Sequence, residues 1–201
     1  LDFTTGYSLY IGIPFCPTTC LYCSFPSYPA GKNKAAPYLA ALREELRLTA
    51  EMMAGRRLDA VYVGGGTPTS LSAEELRALL LFVRETFDFS ACREFTVEAG
   101  RPDSITREKL LALREAGVDR ISINPQTLKQ ATLDLIGRFH TVEQFTESFA
   151  LARELGFDNI NTDLIMGLPN ESEADVRRTM EGIRALSPDD VTIHSLALKR
   201  A

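Results

Sequence analysis

Six times along this chain a short β-rich run is followed by a segment of helical periodicity, and that alternation limits the fold more than any other feature. Strand-like runs occupy residues 8–13, 58–63, 94–97, 120–123, 159–165 and 190–196. Helical patterning fills the gaps, as with Leu39, Leu42, Leu46 and Met53 within residues 37–53, where Pro37 suits a first turn. Ser72 with Glu75 reads as a capping box. Helices are expected over residues 106–116 and 141–155, closed by Gly117 and Gly156, and another runs from Ser172 to Leu186. Strands alternating with helices make parallel βα units. No dinucleotide-binding fingerprint accompanies them. A closed eight-fold barrel usually takes about 250 residues, and this chain has 201. The expectation is an α/β fold: a partial (β/α)6 barrel of parallel strands, open on one side, as one domain over residues 1–201. The chain begins without Met and stops at Lys199, Arg200 and Ala201, which reads as a piece of a longer protein.

Composition narrows the class of partner. At 45% hydrophobic and 24% charged residues, disorder is excluded as the main state. With 22 basic and 27 acidic residues the net charge is -5, which argues against a nucleic-acid partner held through phosphates. No apolar run approaches the ~20 residues a membrane span needs, and residues 1–6 do not read as a signal peptide.

Three of the four cysteines, Cys16, Cys20 and Cys23, fall within eight residues in the spacing C-x3-C-x2-C. An odd, tight group is poor material for a disulfide framework and good material for an inorganic centre. Zinc competes, but a structural zinc site wants four ligands, and neither His140 nor His194 is near in sequence. A [4Fe–4S] cluster is normally held by four thiolates. With three, one iron keeps an open position that can bind a small ligand. Cys92 reads as a core or interface thiol. His140 and His194 read as structural residues.

In barrels of this type the site forms at the C-terminal ends of the strands. Those ends carry the cysteine loop, the triple glycine at residues 64–66, Glu98, Gln126, Asp163 and Ala197. The glycines suit a tight turn or a close backbone approach to a polar ligand. Glu98 can pair with an ammonium group, and Arg138 with a carboxylate. Asp163, inside an apolar strand, needs a ribose or backbone partner. Gln126 is a neutral hydrogen-bonding group, and Tyr22 can stack on a flat ring. Ammonium, carboxylate, ribose and open iron together describe an amino acid fused to a nucleoside, such as S-adenosylmethionine.

The run YIGIPFC (residues 10–16), with Cys20 and Cys23, resembles the cluster loop of radical S-adenosylmethionine enzymes. GGGTPT (64–69), VEAGRP (97–102), ISINPQ (121–126), IGR (136–138) and DLIMGLP (163–169) narrow the likeness to the oxygen-independent coproporphyrinogen III dehydrogenase family. The resemblance implies that Cys16, Cys20 and Cys23 ligate a [4Fe–4S] cluster. It implies that Glu98 pairs with the methionine amino group beside Gly65, Gly66 and Thr67, with Tyr10 near the cluster. Arg138, Gln126 and Asp163 would make polar contacts to S-adenosylmethionine, and Tyr22, Ile165 and Ala197 would line an adenine pocket.

The implied reaction starts with one electron passing from the reduced cluster to the sulfonium. Methionine and a 5'-deoxyadenosyl radical result. The radical takes hydrogen from a porphyrinogen propionate, which loses carbon dioxide and an electron to become a vinyl group. The implied partners are a porphyrinogen or haem-type small molecule and a low-potential electron donor. Such a cluster and the missing signal together imply a cytoplasmic location. Two positions depart from the family pattern: Gly12 stands where His is frequent, and Ser24 where the dehydrogenase branch often has a further Cys. A haem-binding chaperone on the same fold is the competing expectation.

Overall fold

A computed structural model describes residues 4–29 and 34–197. Residues 30–33, between the cysteine loop and the first expected helix, lie outside the described residues, as do the terminal Lys199, Arg200 and Ala201. In chain order the elements are β1 (Gly6–Ile13), β2 (Phe15–Cys16), β3 (Tyr28–Pro29), α1 (Ala35–Met52), β4 (Arg57–Gly65), α2 (Ala73–Thr86) and β5 (Glu94–Glu98). There follow α3 (Arg107–Glu115), β6 (Arg120–Ser122), α4 (Gln130–Leu135), α5 (Val142–Glu154), β7 (Ile160–Met166), α6 (Glu173–Leu186) and β8 (Asp190–Ser195). Two 3₁₀ turns, Pro68–Ser70 and Pro102–Ser104, follow β4 and β5.

β1, β4, β5, β6, β7 and β8 form one parallel sheet in that order. Each connection steps one strand onward, which is how a barrel is wound. β1 and β8 remain separate edges, so the barrel is partial and open, as expected. The helix starts follow the sequence signals. Ser72 and Glu75 close a reciprocal capping box, and Thr141 with Gln144 and Ser172 with Asp175 do the same. Behind α3, Gly117 takes a φ of +72° and its N–H donates to Arg114 O at 2.9 Å. α4 was not anticipated, because six residues are too few to show a period.

One face of the sheet is apolar. Ile11, Val61, Val63, Val97 and Ile121 pack with Leu76, Leu79, Leu110 and Phe145 of the covering helices. The opposite face is polar. Tyr10 stacks on Tyr62 with ring centroids 5.9 Å apart, Tyr62 donates to Glu98, and Asn124 donates to Asp163. Parallel sheets normally bury both faces in apolar packing. A polar face lining an open barrel is therefore a surface kept for a ligand. Among the described residues, no helix is long and apolar enough to cross a membrane.

Candidate active site

The cysteine loop leaves the C-terminal end of β1 and is held from three sides. β2 pairs with β3 across it. Leu21 N–H donates to Ile136 O at 2.9 Å, and Thr67 N–H donates to Phe15 O at 2.7 Å. Cys23 N–H donates to Cys20 O at 3.1 Å, which folds the loop back on itself. Cys20 is buried, Cys16 half-buried and Cys23 exposed. Desolvation of its sulfur pushes the Cys23 thiol up, and the neighbouring Cys20 and Cys16 add to the shift. Among the described residues, no three ligating side chains stand close enough to share a single ion. Thiolates that each take a different iron do not need to.

The GGGTPT turn packs directly against this loop. A Cβ on Gly66 would lie 2.7 Å from Phe15 O, 2.8 Å from Ile13 O and 3.1 Å from Cys16 Sγ. Gly65 adopts a φ of +103°, a conformation open to glycine. A Cβ on Gly64 would meet the Glu98 carboxyl at 2.9 Å. The turn is thus tight and pressed against the cysteine loop, as the first reading of the triple glycine requires. Thr67 is buried, with its hydroxyl 3.4 Å from Cys16 Sγ.

Beside the loop opens a pocket of about 800 Å³. Tyr22, Cys23, Gln126, Asp163, Ile165 and Ala197 all line it, so five of the expected ligand contacts and one cysteine converge. Gln126 is buried with a φ of +69°, a costly conformation for a non-glycine residue, and its Oε1 has no hydrogen-bond partner. Gln126 thus brings a buried acceptor without a partner to the wall of the pocket. Tyr10 and Glu98 stand outside that lining, on the polar face with Tyr62. His194 also lines the pocket, whereas His140 is fully buried and held down to about 3, chiefly by desolvation and then by Arg138.

Two of the expected site residues have protein partners of their own. Asn124 Nδ2 and Asn161 Nδ2 donate to the two oxygens of Asp163 at 2.8 and 2.7 Å. Each oxygen keeps accepting capacity for a hydroxyl. Arg138 has carbonyl and phenol partners among the described residues. It is buried, donates to Gly100 O at 2.7 Å, to Asn124 O and to Tyr22 Oη at 3.1 Å, and its Nε has no partner. A buried cation without a counter-charge is costly, and an anionic ligand or thiolate centre beside it relieves that cost. Asn124, Asn161, Tyr62 and Arg101 are site residues the sequence did not reveal.

Glu98 is pushed up from the usual carboxylate range first by desolvation and then by Asp163, against the opposing hydrogen bond from Tyr62. A raised carboxylate favours the folded state while it is protonated, and that stability is lost as pH rises through its folded value. Glu98→Gln should therefore raise the melting temperature of the ligand-free protein at about pH 8, with the gain fading toward about pH 4. Thermal melts across pH check this; a gain independent of pH would contradict it.

The family model of the radical SAM superfamily matches residues 10–183. The chain is 46% identical over 199 residues to "Oxygen-independent coproporphyrinogen-III oxidase-like protein HemZ" of Bacillus subtilis, covering 96% of this chain and 40% of that protein. It is 38% identical over 193 residues to "Heme chaperone HemW" of the same organism, covering 96% and 51%. In structure it resembles the coproporphyrinogen III oxidase HemN of Escherichia coli, titled a radical SAM enzyme, with a TM-score of 0.87, 33% identity and coverage of 94% and 44%. The chain thus spans about half or less of the length of these relatives. An open parallel barrel with a three-cysteine loop at its mouth is the frame on which this superfamily carries its [4Fe–4S] cluster and S-adenosylmethionine, and the chain belongs to the radical SAM superfamily.

Proposed function

We propose that the chain is the radical-generating part of an oxidoreductase that converts porphyrinogen propionates to vinyl groups in haem biosynthesis. The observation that carries the proposal is the convergence of the cysteine loop and a pocket with an orphaned buried acceptor at the strand ends. Likeness to proteins named for coproporphyrinogen oxidation supplies the substrate class. In this reading Cys16, Cys20 and Cys23 hold the cluster, and Glu98 holds the methionine ammonium beside Gly65, Gly66 and Thr67. Tyr10 shields the cluster side. Gln126 and Asp163 take the polar edge of the nucleoside, Tyr22, Ile165 and Ala197 enclose the adenine, and Arg138 supplies positive charge behind it.

When bound, the cluster and S-adenosylmethionine supply a carbon radical able to take hydrogen from an unactivated carbon. The residues of this chain orient and protect that event. Tyr62 fixes the Glu98 carboxylate by donating to it, and Asn124 and Asn161 fix Asp163. Ile165 and Leu168 form an apolar wall with Leu133 and Ile136 that keeps water from one side of the pocket. A low-potential electron donor and a reducing compartment, the cytoplasm, belong to the same proposal.

The haem-chaperone reading is favoured by the relatives of that name and by Ser24 in place of a further cysteine. Reduced, cluster-loaded protein supplied with coproporphyrinogen III and S-adenosylmethionine should release carbon dioxide and a product with new vinyl groups, read by mass spectrometry. Stable haem binding with no vinyl product would replace the dehydrogenase reading with the chaperone one.

A further inference from the structure

A second buried arginine reaches the cysteine loop from the segment after β5. Arg101 is 3% exposed. Its Nη1 lies 3.5 Å from Cys20 Sγ and 3.4 Å from Thr18 O, and its Nη2 donates to Thr18 Oγ1 at 3.0 Å. Asp103 grips the same guanidinium through Nε at 3.0 Å and Nη2 at 2.8 Å. The grip is local, because the Pro102–Ser104 turn brings Asp103 back over Arg101. The turn is itself anchored: Ser104 Oγ donates to Arg101 O at 2.7 Å, and Lys109 Nζ bridges Ser104 O and Thr69 O at 2.9 and 2.6 Å. The fork is thus fixed on both sides with one N–H left over, and that N–H points at sulfur.

We propose that Arg101 is a tuning residue for the cluster: its N–H contact with Cys20 and its buried charge raise the cluster's reduction potential, and Asp103 limits the rise. The inference rests on the reading that Cys16, Cys20 and Cys23 hold the cluster. One electron from a low-potential donor makes the centre one unit more negative, and no proton need accompany it. A fixed cation at a ligating sulfur stabilises the more negative state. Hydrogen bonds to ligand sulfurs and local net charge are established levers on iron–sulfur potentials. Burial makes the effect strong, because few solvent dipoles screen it. Asp103, 20% exposed on its side chain, cancels part of the charge without touching the sulfur.

The test is an anaerobic redox titration of the reconstituted protein, followed by the electron paramagnetic resonance signal of the reduced cluster. Iron and sulfide content are measured first. Arg101→Gln should shift the midpoint to more negative potential at unchanged iron content, and Arg101→Lys should fall between it and the wild type. Asp103→Asn should shift it the opposite way, to less negative potential. If Arg101→Gln loses the cluster, Asp103→Asn carries the test alone, since it keeps the arginine. Fully loaded variants with the wild-type potential, or Asp103→Asn shifted downward, would overturn this inference and leave the three-cysteine reading standing. A wild-type protein that takes up no cluster would overturn both.

Discussion

Cys20→Ala should take the cluster out of the protein. After anaerobic reconstitution, iron should fall from about four per chain to background, together with the broad visible absorbance of the iron–sulfur charge-transfer bands. With only three thiolates in the loop, losing one leaves two ligands on neighbouring irons, too few to hold a cube against free thiol in the buffer. Cys20 is the buried member of the three, so no other side chain replaces it from solvent. The fold should survive, because the sheet and helical core are built from other residues. Cys92→Ala is the matched control. Cys92 donates to Glu94 O at 3.4 Å at the far end of β5, away from the loop, and its loss should leave iron unchanged. Full iron retention in Cys20→Ala would remove Cys20 from the ligand set.

Gly66→Ala should be the most damaging single methyl group in the turn. Its Cβ would press on two backbone oxygens, Phe15 O and Ile13 O, at 2.7 and 2.8 Å, and neither can swing aside as a side chain can. Overpacking of this kind costs about 1–3 kcal/mol and sometimes more. At the upper end, a chain of this size should melt roughly 6–12 °C lower. The same push displaces Cys16, whose Sγ lies 3.1 Å from the built Cβ, so cluster loading should fall with stability. Gly55→Ala separates space from backbone strain. Nothing lies within 4 Å of a Cβ there, although its φ is +78°, so only the cost of a left-handed alanine remains, about 1–2 kcal/mol. A Gly66→Ala protein with wild-type melting temperature and full cluster loading would show that the close approach at Gly66 is not what the turn depends on.

The fold was legible because its signals are local and repeated. Capping residues, closing glycines and apolar periods mark each βα unit, and the observed strand ends lie close to the expected ones. The cysteine loop was legible for the same reason, being a spacing within eight residues. Gln126, Asp163 and Ala197 followed from the rule that such barrels carry their chemistry at strand ends, and Ile165 from the family resemblance. What stayed hidden is long-range or made through backbone. Arg101 and Cys20 are 81 residues apart, and an arginine before Pro-Asp reads as an ordinary loop residue. The carbonyl partners of Arg138 have no side-chain signature, so the sequence could not point to them. Asn124 and Asn161 lie on β6–β7 connections or strands where asparagine carries no pattern, yet they set the Asp163 carboxylate. The left-handed backbone of Gln126 is likewise invisible in its identity.

The central claim is that this chain's site cleaves S-adenosylmethionine reductively. Its most direct test is to incubate anaerobic, cluster-loaded, reduced protein with S-adenosylmethionine and to quantify 5'-deoxyadenosine and methionine by mass spectrometry. The account predicts both products from the wild type, in equal amounts, and neither from Cys20→Ala. Neither product from wild-type protein with a full, reducible cluster would contradict it.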